Sequence, residues 1–89
     1  LRIEWSAFAL ADRHAIFDYI GQDSPRATVA VDDRIREQVE RLSGFPMSGP
    51  PGRIDGTREP VIKGTPYIAA YMIVEQRIRI LRIIHGAQA

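Results

Sequence analysis

The chain has 89 residues, 45% of them hydrophobic and 26% charged, with a formal net charge of +1. That length predicts one small domain with a thin core, and the composition is globular, which excludes a disordered chain. There is no cysteine, and the two histidines, His14 and His85, lie far apart in sequence; disulfides and thiolate metal sites are therefore excluded and no zinc site is expected.

No apolar run approaches the ~20 residues that cross a bilayer, and the N-terminus lacks the basic, apolar and small-residue succession of a secretory signal. A soluble cytoplasmic protein without metal, cofactor or membrane partner is expected. Charge is divided unevenly. Residues 1–44 carry six arginines against eight acids, a balance of −2, and residues 45–89 carry six cations against three acids, a balance of +3. The asymmetry predicts an acidic helical half and a basic face on the other half.

Leu1–Trp5 alternates apolar and charged residues, the pattern of a short strand with Leu1, Ile3 and Trp5 pointing inward. Ser6 is placed to cap a helix running from Ala7 to about Gln22, with Ala9, Ile16 and Ile20 on one face. Arg13 falls within that face, so either the helix rotates toward Leu10 and Phe17 or the arginine snorkels past its neighbours. His14 reads as a flanking surface residue. Gly21-Gln22-Asp23-Ser24-Pro25 forms a helix-to-helix junction, with Gly21 as the stop, Ser24 as the next cap and Pro25 in the first turn.

The second helix runs to about Ser43 with Ala27, Val31, Ile35, Val39 and Leu42 on its apolar face. Its polar face offers Asp32–Arg36 and Glu37–Arg41 pairs at the four-residue spacing. Phe45–Gly56, with Pro46, Pro50, Pro51, Gly49, Gly52 and Gly56, suits neither a helix nor a central strand. Three runs follow, Glu59–Ile62, Tyr67–Val74 and Arg77–Ile84, separated by Gly64-Thr65-Pro66 and by Glu75-Gln76, and they read as antiparallel strands. Tyr67–Val74 is apolar at both parities and belongs in the centre of a sheet. In the last run Ile78, Ile80 and Ile84 share a face with Arg82, and Arg77 and Arg79 share the other with Leu81 and Ile83. The expected architecture is a single α+β domain over residues 1–89. An antiparallel two-helix hairpin packs on a small antiparallel sheet of three C-terminal strands, joined by the N-terminal strand.

Several local features in this order carry a likeness. They are Trp5-Ser6, Asp18-Tyr19-Ile20, Ser24-Pro25-Arg26-Ala27, Gly56-Thr57-Arg58-Glu59, Pro66-Tyr67-Ile68 with Tyr71, and Ile83-Ile84-His85-Gly86-Ala87. Together they resemble the RelE/ParE superfamily of type II toxins over nearly the whole chain. The resemblance implies a toxin encoded beside a ParD- or RelB-like antitoxin whose extended tail wraps it, in a heterotetramer or a larger assembly. The residues expected to bind partners are Arg58, Lys63, Arg77, Arg79 and Arg82.

The superfamily divides by target. RelE-like members cleave messenger RNA on the ribosome, which requires a base for the 2′-hydroxyl, cations for the transition state and an acid for the leaving oxygen. Arg58, Tyr67, Arg82 and His85 are the candidates for such a metal-independent site, with Lys63 and Arg79 as further cations. RNA-cleaving relatives tend to place an arginine where this chain has Ile68, and a C-terminal arginine or a histidine-tyrosine pair where it has His85-Gly86 and Gln88. The resemblance therefore favours a ParE-like growth inhibitor of the plasmid-stabilisation type that binds DNA gyrase without chemistry of its own. The alternative is a RelE-like ribosome-dependent endoribonuclease. Plainer roles stand beside these: Tyr67 and Tyr71 as sheet packing, Arg58 paired with a helix carboxylate, and His85 holding the C-terminal turn.

Overall fold

The computed structural model describes residues 1–88. Its elements in chain order are β1 (Arg2–Trp5), α1 (Ala7–Gly21), α2 (Pro25–Arg41), β2 (Thr57–Arg58), β3 (Tyr67–Val74), β4 (Arg77–His85) and a 3-10 turn at Gly86–Gln88. The strands form one sheet in the order β1-β4-β3-β2. The C-terminal strands pair antiparallel as expected, and β1 joins the edge of β4 in parallel, so the sheet is mixed.

Capping residues set the helix boundaries. The Ser6 hydroxyl accepts the Ala9 N–H at 3.0 Å, and Ser24 accepts from Ala27 at 3.1 Å with Pro25 at the first helical position. The hairpin is locked by Thr28, a buried polar residue whose hydroxyl donates to the Phe17 carbonyl at 2.6 Å. Ala9, Ile35, Val39 and Leu42 come down from the helices onto Ala69, Tyr71, Ile78, Ile80 and Ile83, and Ile16 and Ile20 pack against that core. Leu1, expected to point inward with Ile3 and Trp5, lies outside β1 and is exposed; only the latter two pack against the core.

Four local expectations are corrected. The run Glu59–Ile62 does not form a strand: the pairing moves to Thr57–Arg58, and an isolated bridge joins Val61 to Ile68. Pro60 sits in that run and has no N–H to donate to a ladder. Arg13 does not snorkel: it crosses the hairpin to Asp32 in a two-bond ion pair at 2.7 and 3.0 Å, with its guanidinium 5.0 Å from the Trp5 ring centre. Asp32 is thereby unavailable to Arg36, which pairs with Asp33, Glu37 and Glu40, while Arg41 makes no ion pair with Glu37 among the described residues. Finally, β4 carries a bulge. Ala70 pairs with Arg82 but Tyr71 pairs with Ile80, so Leu81 is the extra residue. The alternation reverses there, and Ile78, Ile80 and Ile83 are the buried residues of β4, not a set including Arg82 and Ile84.

Candidate interaction face and the dispersed cations

The pairing register assigns each side chain of the sheet to a face. Tyr67 with His85, Ala69 with Ile83, Tyr71 with Ile80 and Ile73 with Ile78 look toward the helices. Ile68 with Ile84, Ala70 with Arg82, Met72 with Arg79 and Val74 with Arg77 look the other way. None of the elements α1, α2 or β1–β4 covers that outer face. Its apolar side chains are half-buried by one another, and Arg79 and Arg82 stand exposed among them. The result is an apolar strip on β3 bordered by a row of guanidinium groups on β4.

The three arginines of the row differ in what holds them. Arg77 pairs with Glu4 across the β1–β4 ladder at 3.0 Å and reaches Glu75 at 3.4 Å. Arg82 turns around the end of β1 to Asp12 of α1, donating from Nε at 2.7 Å and from Nη2 at 2.9 Å. The same carboxylate accepts the Ile83 backbone N–H at 2.9 Å. Burial pushes the Asp12 carboxyl up, but the Arg82 guanidinium and the Ile83 N–H outweigh it and hold the group below the ordinary carboxylate range. Arg79 has no ion-pair partner among the described residues and presents its full charge to solvent.

The four candidates for RNA cleavage do not converge. Tyr67 and His85 meet edge to face with ring centres 5.5 Å apart, on the helix side of the sheet. Arg82 lies on the opposite face. Arg58 is on β2, paired with Tyr71 rather than with the Tyr67 end of β3, and its Nη1 donates to the carbonyls of Met47 at 3.1 Å and Gly49 at 2.6 Å. Arg58 is therefore a clamp on the proline-glycine loop, and the expected carboxylate partner is replaced by two carbonyls.

Tyr67 is only 7% exposed, and burial, together with the Tyr19 phenol, pushes its hydroxyl pKa up, away from the phenolate a general base would need. His85 uses Nδ1 to accept the Ala87 N–H at 3.1 Å, the turn-holding role expected of it. Tyr67 and Tyr71 are both buried against the helices, so neither offers a flat surface to a base. Lys63 stands exposed on another side of the molecule, beside the C-terminal half of α2; the Gln38 carboxamide holds its backbone by two hydrogen bonds. Among the described residues no group of histidines and carboxylates is placed to hold a metal ion, and no helix is long and apolar enough to cross a membrane.

The loop clamp was not legible in the sequence. Tyr71, fully buried, donates its hydroxyl to the Pro46 carbonyl at 2.8 Å and accepts the Gly49 N–H at 3.2 Å. Only the spacing of a strand tyrosine against a loop that needs its backbone groups satisfied hinted at it.

Comparison with known proteins places these features. Residues 3–89 match the family model described as the ParE toxin of type II toxin-antitoxin system, parDE. The protein named "Putative toxin Y4kP" from Sinorhizobium fredii is 41% identical over 87 residues, covering 98% of this chain and 90% of its own. Toxin RelE2 of Caulobacter vibrioides is 32% identical over 87 residues, covering 98% and 97%. Two solved structures share the fold. A chain of the chromosomal ParDE TA system from P. aeruginosa gives a TM-score of 0.85 at 28% identity, over 96% of this chain and 95% of that one. A chain of the toxin-antitoxin complex RelBE2 from Mycobacterium tuberculosis gives 0.63 at 27% identity, over 94% and 95%.

Proposed function

We propose that this chain, which belongs to the ParE toxin family of type II toxin–antitoxin systems, arrests growth by binding DNA gyrase and does no chemistry of its own. One observation carries the reading. The side chains that RNA cleavage would need are divided between the two faces of the sheet, and each is engaged: Arg58 on loop carbonyls, Arg82 on Asp12, His85 on its own turn and Tyr67 in the core. Transition-state stabilisation needs donors already aimed at one point. A binding protein needs only a firm scaffold and a surface, and the outer sheet face provides apolar anchors beside Arg77, Arg79 and Arg82.

The cognate antitoxin is the second partner in this reading. Both structural relatives come from toxin–antitoxin systems, one of them solved as the complex. An acidic tail that folds on the basic, partly apolar sheet face would hide it from the target, with Arg77, Arg79 and Arg82 as the charged contacts.

Purified protein added to gyrase and supercoiled plasmid is expected to trap cleaved DNA complexes, and to leave messenger RNA intact on translating ribosomes. Message cut in the ribosomal A site, with gyrase unaffected, overturns the proposal in favour of the ribosome-dependent endoribonuclease.

A further inference from the structure

On the side of the molecule away from α1, the C-terminal half of α2 and the segment from Phe45 to Lys63 enclose a groove of about 410 Å³. We propose that this groove receives an extended, acidic segment of the antitoxin that inserts an apolar side chain between Phe45 and Val61. The proposal rests on the reading that an antitoxin binds, and it assigns a second contact at the edge of the sheet, one that meets the open face only at Val61, the bridge partner of Ile68.

The floor of the groove is aliphatic, made of Val39, Leu42, Ile62 and Ala69, all buried. Its rim keeps two large apolar side chains in water, Phe45 at 64% and Val61 at 61% exposure. An apolar floor under an apolar rim gains most from a side chain that displaces water from both. The charge along it has one sign. Arg41 and Lys63 line it, no acid does, and Arg34 continues the row over Gly64, where a Cβ would collide with the guanidinium. The acids of α2 are engaged elsewhere: Asp33, Glu37 and Glu40 are taken up by Arg36, and Asp32 by Arg13. The complement of this groove is an apolar anchor flanked by carboxylates.

The backbone specifies an extended occupant. Ile62 donates to Tyr67 and Pro60 accepts from Ala69, so these residues face β3, while Val61 and Lys63 face away from it. Lys63 is satisfied by Gln38, whose carboxamide accepts the Lys63 N–H at 2.8 Å and donates to the Lys63 carbonyl at 3.0 Å, the reciprocal pair a neighbouring strand would make. The Val61 N–H and C=O have no partner among the described residues and lie at this free edge. A strand laid along the groove meets a donor and an acceptor at Val61 and an apolar slot beside them. A nucleic acid is less well matched: Phe45 is the single aromatic ring of the lining, and a phosphate chain would gain little from an aliphatic floor.

The test uses the purified chain and the antitoxin encoded with it. Val61→Asp and the pair Arg41→Glu, Lys63→Glu are each expected to weaken the complex by roughly tenfold or more. The charge-reversed pair should also flatten its salt dependence, and Asp33→Lys, an exposed position on the side of α2 opposite the groove-lining residues, should leave affinity unchanged. Hydrogen exchange on the wild-type complex should show the Val61 amide newly protected. Thermal melts of the free variants show whether each remains folded, and the exchange measurement needs no variant. A complex that forms with unchanged affinity in all groove variants and an unprotected Val61 amide overturns the groove assignment while leaving the antitoxin reading intact. Failure of the wild-type chain to bind the antitoxin overturns both. A uridine oligonucleotide that binds more tightly than the antitoxin and is lost with Lys63→Glu overturns the choice of a peptide.

Discussion

Tyr71→Phe isolates one hydroxyl group in the centre of the sheet. The ring of Tyr71 is fully buried and stays in place in the variant; what disappears is the donor to Pro46 and the acceptor for Gly49. Gly49 is itself buried, so its N–H, left without an acceptor, is not simply returned to water. Leaving a buried polar group unsatisfied costs about 1–3 kcal/mol, and about 2 kcal/mol is expected here. For a domain of this size each kcal/mol moves the melting temperature by roughly 4–8 °C, which gives a drop of about 8–16 °C. Thermal unfolding followed by circular dichroism reads the shift, and urea titration should show a lower midpoint at unchanged slope.

Gly49→Ala attacks the same anchor sterically. A Cβ at Gly49 would lie 2.9 Å from the Pro60 Cδ and 3.0 Å from the Tyr71 hydroxyl, so the loop must lift and the hydrogen bonds must lengthen. Because both changes act through one contact, the double variant should be less destabilised than the sum of the two singles. A Tyr71→Phe protein melting within about 2 °C of wild type, or strict additivity with Gly49→Ala, refutes the reasoning. The loop would then be held by the Arg58 clamp alone.

Three further outcomes are expected. Glu75 and Gln76 both sit at positive φ, +51° and +64°, in the two-residue turn between β3 and β4; replacing them with Asn-Gly should raise stability by about 1–2 kcal/mol, read as a higher urea midpoint. Asp12, held below the ordinary carboxylate range, stabilises the fold above its unfolded pKa, and that contribution fades as pH falls through the lowered folded value; the stability gap between wild type and Asp12→Asn should be widest near neutrality and close in acid. His85→Asn, whose side-chain oxygen can accept the Ala87 N–H in place of Nδ1, should still arrest growth on induction; abolished arrest with unchanged expression and melting temperature would give His85 a chemical role.

Much of the fold was legible because its signals are local. Ser6 and Ser24 act as caps, Pro25 opens α2, and the Glu75-Gln76 turn and the central place of β3 follow from composition and period. What was misread depends on distant partners. Arg13 is an oddity on an apolar face until Asp32, nineteen residues on, is placed against it. Arg58 reads as a free cation, or as one paired with a carboxylate, because its ligands are carbonyl oxygens, which no sequence pattern marks. The run Glu59–Ile62 has strand composition, and a single proline moved the pairing to Thr57–Arg58. The groove beside α2 was invisible for a similar reason: a loop of proline and glycine gives no period from which its facing residues can be read.

The bulge at Leu81 connects the misread parity to the functional reading. Counting by twos from Ile78 and Ile80 places Arg82 and Ile84 toward the helices. With one residue inserted, Ile83 fills that layer and His85 comes to rest against Tyr67. Arg82 is turned to the outer face, where it joins Arg77 and Arg79. The insertion is fixed in place by α1: the Ser6 N–H bonds the Ile80 carbonyl at 2.9 Å, the Ser6 hydroxyl donates to the Leu81 carbonyl at 2.8 Å, and Asp12 takes the Ile83 N–H. The residue that caps the helix also sets the register of the last strand. Arg82 and His85 are three residues apart and lie on opposite faces in either register, so the guanidinium never joins the histidine with which it would have to act in cleaving RNA. The bulge decides that the guanidinium is the one turned outward, and so spares the core a buried charge. It leaves three arginines in a row beside an apolar strip, an arrangement suited to holding a partner.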